Sequence, residues 1–338
     1  MATIGLLLLS PLCAHTQVAG LNTLTSLDLS PYGRVSSLGM DYLSVFSDDP
    51  TVGLSNPSML TSEMAHSVVA SVVPVFAGAN MGALGYVHSS KRLGVFSVAL
   101  NYFNYGRFDR YDEEETPLGS FGASDYTFSI GWGLRLDSNF SVGASFKPTL
   151  SQYAEYTAFS VAFDVAASWM NDARTLAATL MLRNVGAQIV TFDEKTESLP
   201  LELSAEVSYK LRNAPFRLYL AATELQRWNL RYEDPLSPST TVDPFTGEVT
   251  TTSPVEAVAS NIIRHLQAGV ELTFGRSFYA RVGYSPRRSS EMRGFDALSF
   301  SGLSFGVGFR MRRFEFGYAR HNYHLSQSPN YFTLTYRF

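Results

Sequence analysis

Chemistry would first be sought at His321-Asn322-Tyr323-His324, where two imidazoles fall three residues apart. A metal site needs further ligands, and no carboxylate or cysteine stands near them in sequence. Gly302, Gly306 and Gly308 form a glycine-rich run, but they lie inside a stretch with strand patterning, so a phosphate cradle does not follow. Asp109, Asp112, Glu113, Glu114 and Glu115 make an acidic cluster better read as a solvated face than as a cation site. Serines and histidines occur without a nucleophile elbow, which leaves a barrel hydrolase with a Ser/His pair assembled from separate strands as the enzymatic alternative. These residues predict neither an enzyme nor a cofactor.

A second set of charges is more informative because of where it falls. Glu202, Glu206, Lys210, Arg217, Glu271, Arg281, Arg310 and Glu315 all occupy the polar parity of alternating stretches. Alternate residues of a β-strand point to opposite faces. All eight therefore belong to one face, and the simplest role for them is a lumenal ion-pair network. A path for a ligand is the sharper alternative.

The elements that would position them are long strands. Phe332, Leu334, Tyr336 and Phe338 share one parity at the chain's end, against Tyr331, Thr333, Thr335 and Arg337. The same alternation recurs at Tyr126–Leu134, Phe140–Leu150, Phe159–Trp169, Leu199–Leu211, Phe216–Leu220, Leu266–Phe274, Phe278–Tyr284, Leu303–Phe309 and Phe314–Tyr318. Many of these runs match the roughly 9–11 tilted residues that cross a hydrocarbon core. Charges almost never enter the apolar parity, where an Arg or Lys would cost roughly 2–4 kcal/mol at mid-depth. Bulky residues on one face and small or polar ones on the other predict a transmembrane antiparallel β-barrel of about 14 strands, apolar outward. Val68–Gly85 carries no charge, but Pro74, Gly78 and five valines argue for two strands there rather than a helix.

Connection lengths alternate as they do in outer-membrane barrels, which join strands by short turns on one side and long loops on the other. Tight turns are expected at 88–91, 136–139, 171–174, 212–214, 275–276 and 312–313. Long connections are expected at about 106–121, 187–198, 229–262, 286–297 and 321–329, with short connections near Ala77 and Tyr153 as two exceptions. Trp228, Tyr232, Phe245, Arg287, Arg288 and Phe295 fall in or beside two of them and are the candidate partner-binding residues. Residues 1–17, with an apolar core at Leu6–Leu12, suit a cleaved export signal. Residues 18–64 do not alternate. Their glycines, prolines and acidic pair Asp48-Asp49 predict turns and short helices, with enough apolar residues to form a small plug resting in or under the barrel of residues 65–338.

Composition agrees. Charged residues are only 17% of the chain, below the usual quarter of a soluble protein. A formal net charge of −4 and the lack of any basic run exclude an electrostatic case for nucleic acid. The single cysteine, Cys13, lies in the export signal, so the mature chain has no disulfide frame.

Several short stretches carry a resemblance. They are Arg34-Val35-Ser36-Ser37-Leu38-Gly39, Asp48-Asp49-Pro50, Asn56-Pro57-Ser58-Met59-Leu60, Leu182-Arg183-Asn184-Val185-Gly186, Leu199-Pro200, Ala214-Pro215-Phe216-Arg217, Arg264-His265, Gly283-Tyr284, Arg287-Arg288 and Glu291-Met292. In this order they resemble the PorQ family of type IX secretion components, related to PorV and to FadL-like barrels. The resemblance implies a non-enzymatic outer-membrane protein with no cofactor. It also implies a role in tethering PorZ, and through it PorU and PorV, in the surface complex that joins cargo to lipopolysaccharide. A FadL-type channel for hydrophobic compounds is the alternative.

Overall fold

The computed structural model describes residues 24–338 except 76–77, 194, 231–239, 243–248, 252–253, 276, 292–300 and 323–327. The expected export signal, residues 1–17, and the candidates Tyr232, Phe245 and Phe295 lie outside the described residues.

Before the strands come α1 (Gly33–Ser36), α2 (Pro50–Ser55) and three single-turn 3-10 helices. The strands then follow as β1 (Ser67–Pro74), β2 (Asn80–Ser90), β3 (Gly94–Tyr111), β4 (Pro117–Arg135), β5 (Phe140–Tyr153), β6 (Tyr156–Met170), β7 (Leu176–Val190), β8 (Glu202–Lys210) and β9 (Phe216–Ala222). A short hairpin, β10 (Thr240–Val242) and β11 (Val249–Thr251), and helix α3 (Pro254–His265) precede β12 (Leu266–Phe274) and β13 (Phe278–Tyr284). Helix α4 (Pro286–Glu291), β14 (Leu303–Met311), β15 (Phe314–His321) and β16 (Asn330–Arg337) complete the chain.

Fourteen of these strands form one closed antiparallel barrel, each paired with its neighbours in order. The hairpin of β10 and β11 stands outside it. The last strand seals the first, with Ser67 opposite Arg337 and Val72 opposite Phe332. Closure leaves no sheet edge, which is what lipid demands of a spanning sheet. Among the described residues no helix is long and apolar enough to cross a membrane.

Side-chain parity sets inside from outside. On β6, Phe163 and Val165 are exposed outward, while Ser160, Ala162, Asp164 and Ser168 are buried inward. The same division holds on β14, where Phe305, Val307 and Phe309 face out and Ser304 faces in. Both ends of the barrel sequence and most of the tight turns share one side; the short connections 75–79 and 154–155 lie on the other. In the turn after β4, Asp137 accepts from the backbone N–H groups of Asn139 and Phe140, both at 2.7 Å. These bonds, that to Phe140 first, hold its carboxyl below the usual range.

Three expectations need correction. The segment 106–121 is not a loop: β3 and β4 continue through it, leaving only 112–116 between them. The alternation fades there because a bulge near Gly106, at φ +96°, shifts the register and the strands stand clear of the barrel's apolar zone. The strand read from Leu199 begins at Glu202, and Leu199 turns inward onto Leu24, Leu27 and Ala162. The long connection 229–262 contains a hairpin and most of α3, and 286–297 opens with α4.

Candidate functional site

The interior of the barrel is the candidate site, and residues 24–64 occupy it. Local chemistry folds this segment. Asp49 caps α2 by accepting from the N–H of Thr51 at 3.0 Å, with Pro50 in the first turn. Asn56 repeats the device over Pro57, accepting from the N–H of Ser58 at 3.2 Å. After α1 the chain turns at Gly39, φ +69°, where a side chain would be strained. The segment's own apolar residues, including Val35, Leu38, Leu43, Val52, Met59 and Met64, are fully buried and join inward residues of the wall such as Val69, Ala83 and Val87.

The wall is shaped to receive it. A Cβ on Gly143 would collide with the backbone of Pro57 and Ser58, and one on Gly283 would collide with the backbone of Leu38. Those two glycines let main chain approach main chain. Gly306 and Gly308, from the glycine-rich run, point inward against Ser37 and Tyr279 respectively. Polar bonds then fix the segment's position. Asn56 donates to the Leu43 carbonyl at 3.1 Å and to Thr179 on β7 at 3.3 Å. The N–H of Ser44 donates to Glu206 on β8 at 2.7 Å.

The inward charges fall into separate clusters. Arg34 of α1 reaches Asp49 at 3.0 Å and Glu271 of β12 at 3.2 Å, and Glu271 also binds Arg281 of β13. Arg310 of β14 holds Asp48 with both terminal nitrogens, at 2.8 and 2.9 Å, and meets Glu315 of β15 at 2.8 Å. Arg337 joins Glu315 from β16 at 2.8 Å. A third cluster pairs Arg183 with Glu202 at 2.9 Å and Lys147 with Asp164 at 2.6 Å. Arg183 also donates to the Leu27 carbonyl at 3.2 Å.

Thus Glu271 pairs with Arg281 and Arg310 with Glu315, each pair holding a charged plug residue, Glu202 has its own arginine, and Glu206 serves a plug N–H. Arg217 is buried and donates to Ser208 at 3.1 Å. Lys210 stands apart, exposed at the turn side of β8. Sequence reasoning passed over Lys147 and Asp164, although they occupy the polar parity of β5 and β6 and the same criterion would have selected them. It also passed over Asp125, which accepts from Ser26 at 2.6 Å, Tyr105 at 2.7 Å and Tyr153 at 3.1 Å.

Beneath the plug's first turn lies a cavity of about 70 Å³, bordered by Tyr32, Met81, Phe103, Asp125, Lys147 and Arg183. Ligand sites usually run to about 300–1,000 Å³ and are mainly apolar. This one is small and partly charged. Among the described residues no group of histidines, cysteines and carboxylates could hold a metal ion. His321 is buried and engages Arg288 at 2.8 Å. Of the loop candidates, Trp228 is exposed, and Arg287 pairs with Glu224 at 3.2 Å.

The molecule is therefore a transmembrane β-barrel whose lumen is filled by its own N-terminal segment. No family model matches the chain, and no curated protein does. Solved structures do. The toluene transporter TodX of Pseudomonas putida aligns with 95% of this chain and 98% of its own, at 12% identity and a TM-score of 0.55. The toluene transporter TbuX of Ralstonia pickettii aligns over 92% and 99%, at 10% identity and a TM-score of 0.53. A FadL homologue of Pseudomonas aeruginosa aligns over 95% and 100%, at 11% identity and a TM-score of 0.49. At such identities the likeness to TodX and TbuX establishes a common barrel fold.

Proposed function

We propose that this chain is a non-conducting outer-membrane barrel that serves as a surface tether in a type IX secretion machinery. The observation that carries this reading is the filled lumen. Plug backbone meets wall backbone at Gly143 and Gly283, three charge clusters line the interior, and the cavity beside the plug's first turn is about 70 Å³ with partly charged walls. A larger cleft of about 400 Å³ beside Phe46 lies at the tight-turn end among Arg174, Lys210, Arg212 and Arg217. A barrel packed in this way offers its outer rim for work. The resemblance to the PorQ family supports the same reading, since its leading stretches are those that fold and lock the plug. PorZ is the expected partner, held by the loop-side segments 229–262 and 286–297, with PorU and PorV recruited through it and lipopolysaccharide as a further ligand. Affinity purification of the full chain from its own outer membrane should bring PorZ with it. Removal of 236–251, which spares α3, should release PorZ while leaving a heat-modifiable barrel. PorZ retained after that deletion would overturn the seat, and a barrel that never brings PorZ would overturn the tether.

The shared fold favours a second reading, a FadL-type channel for small hydrophobic compounds, and favours it more directly than it does a tether. Such a channel must shift the plug, since the cavity is too small and too polar to hold an apolar substrate as it stands. Uptake of labelled toluene or fatty acid by liposomes carrying the purified barrel would support the channel. No uptake by a barrel that co-purifies with PorZ would support the tether.

A further inference from the structure

Helix α3 turns its polar side toward the protein and its apolar side away. Asn261 and His265 are buried, at 4% and 6% exposure. Asn261 accepts from the N–H of Leu230 at 2.9 Å and donates to the Trp228 carbonyl. The His265 ring bonds the Thr223 carbonyl at 2.8 Å and stacks on Trp228 with centroids 6.2 Å apart. The exposed arc carries Val255, Val258, Ala259 and Ile262, spaced as one helical stripe, with Ile263 and Glu256 beside them at its far edge. Val255 is 78% exposed, Val258 48%, Ile262 45% and Ile263 51%. A helix resting on a soluble surface would show the reverse.

The wall beneath α3 explains the inversion. Helix and strand join without a linker, His265 ending one and Leu266 starting the other. The outward stripe runs on from Ile262 through Leu266 to Ala268 and Val270, the last exposed on the lipid-facing parity of β12. Neighbouring β9 and β13 have only 7 residues each. At about 3.3 Å per residue and a tilt of about 40°, such strands cover roughly 18 Å of an apolar band about 25 Å tall. The shortfall, roughly 7 Å, is comparable to the 5–10 Å that an interfacial helix sinks its apolar face. Leu225 and Trp228, exposed just above β9, lie on the same side, and tryptophan favours the membrane interface.

We propose that α3 is an in-plane interfacial helix whose apolar face is covered by lipid acyl chains, completing the hydrophobic belt where β9 and β13, the strands flanking β12, are too short to do so. The proposal rests on the membrane-barrel reading but on neither function proposed above. Continuity with the lipid-facing parity is what selects lipid over a protein as the occupant.

Cys13 is the sole cysteine, so single labels are readily placed in a Cys13→Ser background. The full chain is refolded into phosphatidylcholine nanodiscs with an environment-sensitive fluorophore at Val258→Cys, Ile262→Cys, Val270→Cys or Ser138→Cys, and each variant is first checked for heat-modifiable migration. Nitroxide lipids spin-labelled near the headgroup should remove about half the emission at 258 and 262, the depth at which an interfacial helix rests. Mid-chain nitroxides should quench 270 more than 258 or 262, and aqueous iodide should quench 138 alone. Labels at 258 and 262 that iodide quenches as strongly as 138, and that ignore nitroxide lipids, would overturn the proposal and leave this face to a protein. If the label at 270 also ignores nitroxide lipids, the membrane-barrel reading itself fails.

Discussion

Arg34 and Glu271, 237 residues apart, meet at 3.2 Å inside the barrel with both side chains nearly dry. One belongs to α1 of the plug and the other to β12 of the wall, so this contact ties the filling to its container. It is also a shared contact: Arg34 balances Asp49 and Glu271, while Glu271 balances Arg34 and Arg281.

Arg34→Ala should therefore destabilise far more than a surface exchange. Removing one member of a buried ion pair typically costs about 3–5 kcal/mol, because the partner's charge is left without compensation. Arg281 remains beside Glu271, which places the expected loss toward the lower end. The measurement is the temperature at which the folded barrel loses its compact migration on a detergent gel. Adding Glu271→Gln to Arg34→Ala should cost less than the sum of the single changes, the mark of direct coupling. Strict additivity would show that the contact does not hold the plug.

Gly143 and Gly283 supply a test that involves no charge. Gly143→Val would press a branched side chain into the backbone of Pro57 and Ser58, and Gly283→Val would do so at Leu38. Ordinary overpacking costs about 1–3 kcal/mol, and a fixed backbone leaves less room to relax than a side chain would. Both variants should expose 24–64 to added protease while the strands stay protected. Gly122→Ala, whose Cβ would have its nearest neighbour at 3.9 Å, should be indistinguishable from the parent.

The middle of the lipid face and its rim should respond differently to the same residue type. Val165, on β6, points outward and is 56% exposed. Val165→Arg should cost about 2–4 kcal/mol if it lies near the bilayer's middle. Thr157→Arg, at the loop end of the same strand and exposed, should fold nearly as well as the parent. Urea titration of refolding into lipid vesicles would rank the two, and equal losses would contradict an apolar band around the strands.

The strands were legible because lipid outside and a packed plug inside force alternation on most of them, a bulge at Arg183 and Asn184 on β7 being one interruption. Phe159 to Trp169 could be assigned to faces from sequence alone, and the inward Glu271 and Glu315 could be selected. Alternation fails where neither environment acts. Arg107 to Tyr111 extend β3 beyond the apolar zone, so their pattern gave no strand signal. Helix α3 was hidden among the prolines and threonines before it. Its own signals, Pro254 at the start, Glu256 in the first turn and Arg264 and His265 in the last, were present in the sequence. What parity could not supply was partnership: nothing in the spacing of Arg34, Asp49 and Glu271 says that they meet. Pairing across 237 residues is decided by how plug and wall fit.

Deleting 24–64 should turn this barrel into a pore. With the plug gone, the inward face becomes Ser160, Ser168, Thr179, Ser204, Glu206 and their neighbours, all buried in the intact molecule and all readily hydrated. A wall of this composition should fill with water rather than collapse, because the closed hydrogen-bonded ring of strands sets its circumference. Glu202, Glu206, Glu271 and Glu315 would line it against Lys147, Arg183, Arg217 and Arg281, which gives a pore without strong ion preference. Planar bilayers should show steady conductance for the deletion variant and silence for the full chain. Conductance from the full chain would mean that the plug moves under ordinary conditions, which favours the channel over the tether. Silence from a folded deletion variant would mean that the wall closes without its filling, contrary to the packing described above.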